Sequence, residues 1–156
     1  MADIPTSNSD ATTALLADGI RYERGGVVTR ARECFEAVTR QVADNPAAAA
    51  EAWWRLGNLH RLHSSWEEAL SAARKSAELS RKYGLGDIEA DAVNIEGAVW
   101  YMRGDFDAAR RLFYSALELA KSPTTRGKVL QNLGNIAAEE RSFDDGERLF
   151  AKSREA

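Results

Sequence analysis

Four glycines at near-constant spacing constrain this chain more than any other feature. Gly19, Gly57, Gly97 and Gly134 stand 38, 40 and 37 residues apart, and each is followed by the same train of residues. Three positions on come Tyr22, His60, Trp100 and Ala137, and nine on come the apolar Val28, Trp66, Phe106 and Phe143. Twelve on, the residues are small: Ala31, Ala69, Ala109 and Gly146. Sixteen on, they are mostly large and apolar: Phe35, Ala73, Phe113 and Phe150. Such a period marks an array of short units, each too small to bury its apolar face alone and so stacked on its neighbours.

The unit these spacings describe is a pair of antiparallel helices. A glycine on the first helix and a small residue on the second let two backbones approach, although glycine costs about 1 kcal/mol in a helix interior. Large residues one turn away then fill the remaining space. Only three prolines interrupt a chain that is 44% hydrophobic, which favours helix throughout. Turns are marked by Gly25-Gly26, His63-Ser64-Ser65, Arg103-Gly104-Asp105 and Arg141-Ser142. Between units stand Asn45-Pro46, Gly84-Leu85-Gly86-Asp87 and Ser122-Pro123, with Asp87 and Ser122 placed to cap the helices that follow. The pattern predicts eight helices, over 11–24, 27–43, 47–62, 66–83, 88–102, 105–121, 124–140 and 143–155. They fall into four units at 12–46, 47–86, 87–123 and 124–156, within one domain spanning 11–156 and behind a loose tail over 1–10.

The order Trp53-x2-Leu56-Gly57, then a ring at His60, then Ala69 and an apolar residue beyond, resembles the tetratricopeptide repeat. The resemblance covers residues 12–156 in four copies, and the period exceeds the usual length of about 34, as in the long variant with an extended second helix. The first and last copies are atypical: Asp18 stands where leucine is usual and Gly146 where alanine is, and Glu96 is a further departure. The resemblance implies an all-α solenoid whose structural signature is Gly19, Gly57, Gly97 and Gly134 with Ala31, Ala69 and Ala109. It also implies a concave groove lined by the first helix of each unit. That selects Leu16, Ile20 and Glu23; Trp54, Asn58 and Arg61; Asn94, Ala98 and Tyr101; and Gln131, Asn135 and Glu139. Glu51, Asp91 and Lys128 lie near one rim.

Among these, Trp54, Asn58, Arg61, Asn94, Tyr101, Gln131 and Asn135 are the candidate binding residues. An amide pairs a donor and an acceptor with an extended peptide backbone, and Trp54 and Tyr101 add apolar area with a polar handle. Trp53, Trp66 and Trp100 are expected inside the hairpins, which leaves Trp54 as the surface anchor. The expected function is a non-catalytic interaction module that binds a protein or extended peptide in its groove. The alternative is a structural subunit or assembly scaffold bound through the convex face or the array ends, and self-association is left open. The family's clamp for chaperone C-terminal carboxylates is absent, since its positions hold Leu16, Ile20, Arg55, Asp91 and Ile95.

Other chemistries find little to build on. His60 and His63 share a helical face and would suit a metal, but no third ligand is placed with them. Cys34 is the only cysteine, so it forms no internal disulfide; Arg30 and Arg32 are close in sequence, but its place beside Phe35 favours an inert thiol. No P-loop, dinucleotide turn, serine elbow or catalytic constellation is present, so neither an enzyme, a cofactor nor a metal is expected. A net charge of −3 without a dense basic patch argues against nucleic acid. No apolar run long enough for membrane insertion occurs, and MADIPTSNSD lacks the pattern of a signal peptide, so the cytoplasm is the expected location. At the last unit, Glu147 and Arg154 replace the outward Leu70 and Ala77 of the second, as expected of a true array end.

Overall fold

The computed structural model describes residues 8–155, and the first seven residues of the expected tail lie outside them. Seven helices follow in order: α1 (Asn8–Arg24), α2 (Val28–Thr39), α3 (Pro46–Leu62), α4 (Trp66–Tyr83), α5 (Gly86–Met102), α6 (Phe106–Leu119) and α7 (Pro123–Glu155). Residues 8–10, expected in the tail, open α1. The all-helical class is the one expected, with no strand among the described residues.

The glycine spacing has a direct geometric meaning in three of the units. Val28, Trp66 and Phe106, nine positions after each glycine, are the first residues of α2, α4 and α6. Seven positions after each glycine the backbone turns left-handed, at Gly26 (φ 77°), Ser64 (φ 58°) and Gly104 (φ 85°). The three turns also share one hydrogen-bond pattern. Val27, Ser65 and Asp105 donate N–H to the carbonyls of Tyr22, His60 and Trp100 at 2.9–3.0 Å, and Gly26, Ser64 and Gly104 to those of Glu23, Arg61 and Tyr101 at 3.0–3.1 Å. This is the reciprocal pair that satisfies the last carbonyls of a helix, and it requires the left-handed residue between them.

Packing follows the same ruler. A Cβ built on Gly19 would meet the Phe35 ring at 2.6 Å, and one on Gly97 the Phe113 ring at 2.6 Å. Both rings are fully buried, which contributes about 2–3 kcal/mol each. In the second hairpin the ring is replaced by Ala73, and the backbones themselves close in. A Cβ on Gly57 would lie 3.2 Å from the Ala69 carbonyl oxygen and 3.4 Å from the Ala73 nitrogen. Ala31, Ala69 and Ala109 are completely buried, as a close helix crossing requires.

The fourth unit departs from expectation. The helices expected over 124–140 and 143–155 are one continuous helix of 33 residues, so three hairpins are followed by a single long helix. The left-handed position of the other turns is occupied here by Arg141. A side chain with a Cβ costs roughly 1–2 kcal/mol in that conformation, a cost that Ser64 bears in the second hairpin, and at Arg141 the helical hydrogen bonding runs on instead. As a result Gly134 has open space where its unit's second helix would pack. Phe143, Leu149 and Phe150 stand 67%, 68% and 62% exposed.

The linkers differ from expectation in one respect. Asn45 caps α3 by accepting from the Ala48 N–H at 3.1 Å, with Pro46 at the first helical position. Asp87 caps nothing on its own helix; its Oδ1 reaches across to accept from the N–H groups of Lys121 at 2.7 Å and Ser122 at 3.0 Å. These two bonds hold its carboxyl below the usual range and pin the α6–α7 linker to the start of α5.

The odd-numbered helices touch one another in sequence, α1 with α3, α3 with α5 and α5 with α7. Among the described residues, the backbones of α2, α4 and α6 do not approach each other. The odd helices therefore line the inner side of a curved array.

Candidate functional site

The inner side holds a hollow of about 250 Å³ where α3, α5 and α7 meet. Helix α3 brings Trp54, Asn58 and Arg61 to it on successive turns, since residues three and four apart share a face. Asp91, Asn94, Ile95 and Ala98 come from α5, and Lys128, Gln131 and Asn132 from α7. Five of the seven residues singled out by sequence thus converge: Trp54, Asn58, Arg61, Asn94 and Gln131.

The amides are half committed to the protein itself. Arg61 donates from Nε and Nη2 to the Asn58 Oδ1, at 3.1 and 2.7 Å, and from Nη1 to the Met102 sulfur at 3.4 Å. Asn132 Nδ2 donates to Asn94 Oδ1 at 2.8 Å. Both carbonyl oxygens are therefore used internally. The Nδ2 groups of Asn58 and Asn94 and the Oδ1 of Asn132 make no hydrogen bond among the described residues.

Trp54 departs from its expected place. It is only 8% exposed and packs in the same core cluster as Val93, Ile95 and Val129, while Trp53, expected inside, is half-buried. The reason is the neighbouring unit, since α5 and α7 close over the Trp54 side of α3. The Arg55 guanidinium lies 4.5 Å from the Trp54 ring centroid and the Lys128 ammonium 5.4 Å, a pairing of cations with an aromatic face. Arg55 is held in place by Glu51 at 2.8 Å and Glu23 at 2.9 Å. The Trp54 Nε1–H is buried without a hydrogen-bond partner among the described residues.

Asp91 is half-buried in the lining of the hollow, and burial raises its carboxyl above the usual value despite Lys128 and a hydrogen bond with Thr125. The folded state thus holds this proton more tightly than the unfolded chain. The carboxyl's contribution to stability is present below pH 3.8 and lost as pH rises through its raised folded value.

Tyr101 and Asn135 do not line the hollow. The Tyr101 ring stacks on Phe106 at 5.4 Å and its hydroxyl donates to Glu139 at 3.3 Å. Asn135 is exposed one turn further along α7. Asn132, which the glycine spacing does not single out, joins instead. It follows Gln131 by one residue, and a step of about 100° around the helix turns it toward α5.

The histidines separate. His60 lines a larger, open hollow of about 620 Å³ walled by α2, α3 and α4, with Trp53 and Lys75 nearby. Burial lowers its imidazole's affinity for a proton. His63 is exposed, with Nδ1 2.8 Å from the Leu59 carbonyl. No group of three His, Cys, Asp or Glu side chains suited to a metal occurs among the described residues. Burial pushes the Cys34 thiol up, as does Glu33, which is the opposite of an activated thiolate. No described helix is long and apolar enough to cross a membrane.

The architecture is similar to that of the N-terminal domain of stress-induced protein-1 (STI-1) from C. elegans. The TM-score is 0.60 at 16% sequence identity, over 79% of this chain and 94% of that one. At this identity the likeness carries the fold, a tetratricopeptide-like stack of helices. No protein-family model matches the chain, and no curated protein matches it either.

Proposed function

We propose that this chain is a non-catalytic interaction module that takes an extended protein segment along its inner side, with the α3–α5–α7 hollow as the reading position. The observation that supports this best is the convergence of Asn58, Asn94, Gln131 and Asn132 around one open space of about 250 Å³. Pockets that enclose a small metabolite usually hold about 300–1,000 Å³, so this one suits a side chain and its flanking peptide groups. The unused amide donors and the free Oδ1 of Asn132 match the alternating acceptors and donors of an extended backbone. Arg61 and Lys128, with no carboxylate within ion-pair distance among the described residues, favour a carbonyl-rich or acidic segment. The family's carboxylate clamp has no counterpart: Leu16 and Ile95 are buried, and Arg55 is locked by Glu23 and Glu51.

The test is selection of binders from a random peptide library, followed by calorimetry on Asn58→Ala and Gln131→Ala. Each variant is expected to weaken a selected peptide about tenfold, or ~1.4 kcal/mol, with an unchanged circular dichroism spectrum and, for Gln131→Ala, an unchanged melting point. Undiminished affinity in both variants removes the assignment. Trp54→Ala is unsuitable as a probe, because its side chain belongs to the core.

A further inference from the structure

Helix α7 carries one apolar stripe along its length. Val129 and Ile136 are buried in the core shared with α5 and α6, and Phe143 and Phe150 follow at the same interval of seven residues. Seven residues rotate an α-helix by only about 20° short of two full turns, so the four side chains stay on one side. The stripe is covered as far as the α5–α6 turn, where Phe143 shares a hollow with Phe106, Glu139, Glu140 and Asp144. Beyond it, Phe150 shares a second hollow with Phe143, Gly146, Glu147, Ala151 and Arg154, and no other helix contributes. The bare stripe has acidic residues at one end, Glu139 and Glu140, and Arg154 at the other, about 21 Å away along the axis.

A second α7 laid antiparallel on this stripe complements it in both shape and charge. With Phe143 against the second copy's Phe150, the two-fold axis falls between Gly146 and Glu147. Gly146 has no Cβ, so the two backbones can approach there. The same register brings each Arg154 opposite Glu139 of the other copy, Glu140 being paired with Arg110 of its own, whereas a parallel pairing sets Arg154 against Arg154. Glu147 lies beside its own copy at the axis and limits the affinity. The uninterrupted helix keeps the stripe available, because folding it back over Gly134 requires Arg141 in the left-handed conformation.

We propose that residues 139–154 of α7 form a self-association surface on which a second copy of this chain docks its own α7 antiparallel, Phe143 to Phe150, about a two-fold axis between Gly146 and Glu147. The surface is separate from the α3–α5–α7 hollow and does not depend on what that hollow binds. Sedimentation velocity of the full chain from low micromolar to submillimolar concentration is expected to show mass rising from one copy toward two. Phe143→Glu/Phe150→Glu is expected to stay at one copy throughout, with an unchanged circular dichroism spectrum, since both side chains are exposed. Arg154→Glu is expected to weaken the dimer several-fold, and adding Glu139→Arg to restore it. A wild type that stays a monomer at every concentration overturns the proposal, as does a double-glutamate variant that dimerises like the wild type. An Arg154→Glu variant of undiminished affinity overturns the antiparallel register.

Discussion

In the α5–α6 hairpin, Gly97 lies under the ring of Phe113, and Gly104 turns the chain with φ at 85°. In α7 the equivalent Gly134 has open space beside it, Phe150 is 62% exposed, and Arg141 takes the place of Gly104. Both regions carry a glycine with an aromatic sixteen residues later. In the continuous helix those two residues stand about 24 Å apart. A glycine and an aromatic at this spacing are therefore not enough to close a unit, and the residue at the turn is one point at which the two regions differ. In the second hairpin Ala73 replaces the ring, and Ser64 turns left-handed although it carries a Cβ, so that unit closes without either the ring or a glycine at the turn.

The sharpest break in this comparison comes from truncating the aromatic. Phe113→Ala is expected to destabilise the protein by about 3–5 kcal/mol, whereas Phe150→Ala changes it by less than about 0.5 kcal/mol. Chemical denaturation at low micromolar concentration measures both, and similar losses would mean that the fourth unit closes as the third does. The glycines give the next largest contrast. Gly97→Ala drives a Cβ into the Phe113 ring and is expected to cost about 1–3 kcal/mol. Gly134→Ala meets nothing and is expected to add up to ~1 kcal/mol through helix propensity. The smallest effect sharpens the comparison rather than breaking it. Arg141→Gly lowers helix propensity by about 1 kcal/mol and removes the left-handed penalty at the same site. Amide hydrogen exchange is expected to speed up around 139–143 and to slow at Leu130 and Gly134 as the fourth hairpin closes. An unchanged exchange pattern would place the block to closure elsewhere.

Most of the first three units was legible in the chain because their contacts are local. Gly19 and Phe35, or Gly97 and Phe113, are joined by a short turn, so a fixed spacing reports their contact directly. The turn residue was on the same ruler, at Gly26, Ser64, Gly104 and Arg141, but its conformation carries weight only when the left-handed backbone is considered beside the packing. The exchange of roles between Trp53 and Trp54 was not legible for a different reason. Trp54 is buried by α5 and α7, and no spacing within its own unit reports contacts from later units. The groove was legible as a face of each odd helix, and less so as a place. Tyr101 and Asn135 lie on that face but away from the hollow, whereas Asn132 reaches it through the relative rotation of α5 and α7.

The contacts among odd helices, without their counterpart among the even ones, give the array a mechanical character. Parting α3 from α5 uncovers Trp54, and parting α5 from α7 breaks the Asn94–Asn132 bond, so flattening the curve is resisted. Tightening it presses together α1, α3, α5 and α7, which already touch, and pulls α2 and α4 away from α3 and α5, on which they pack. The curvature is therefore held by the contacts among α1, α3, α5 and α7 on the inner side, which any opening of the array has to break.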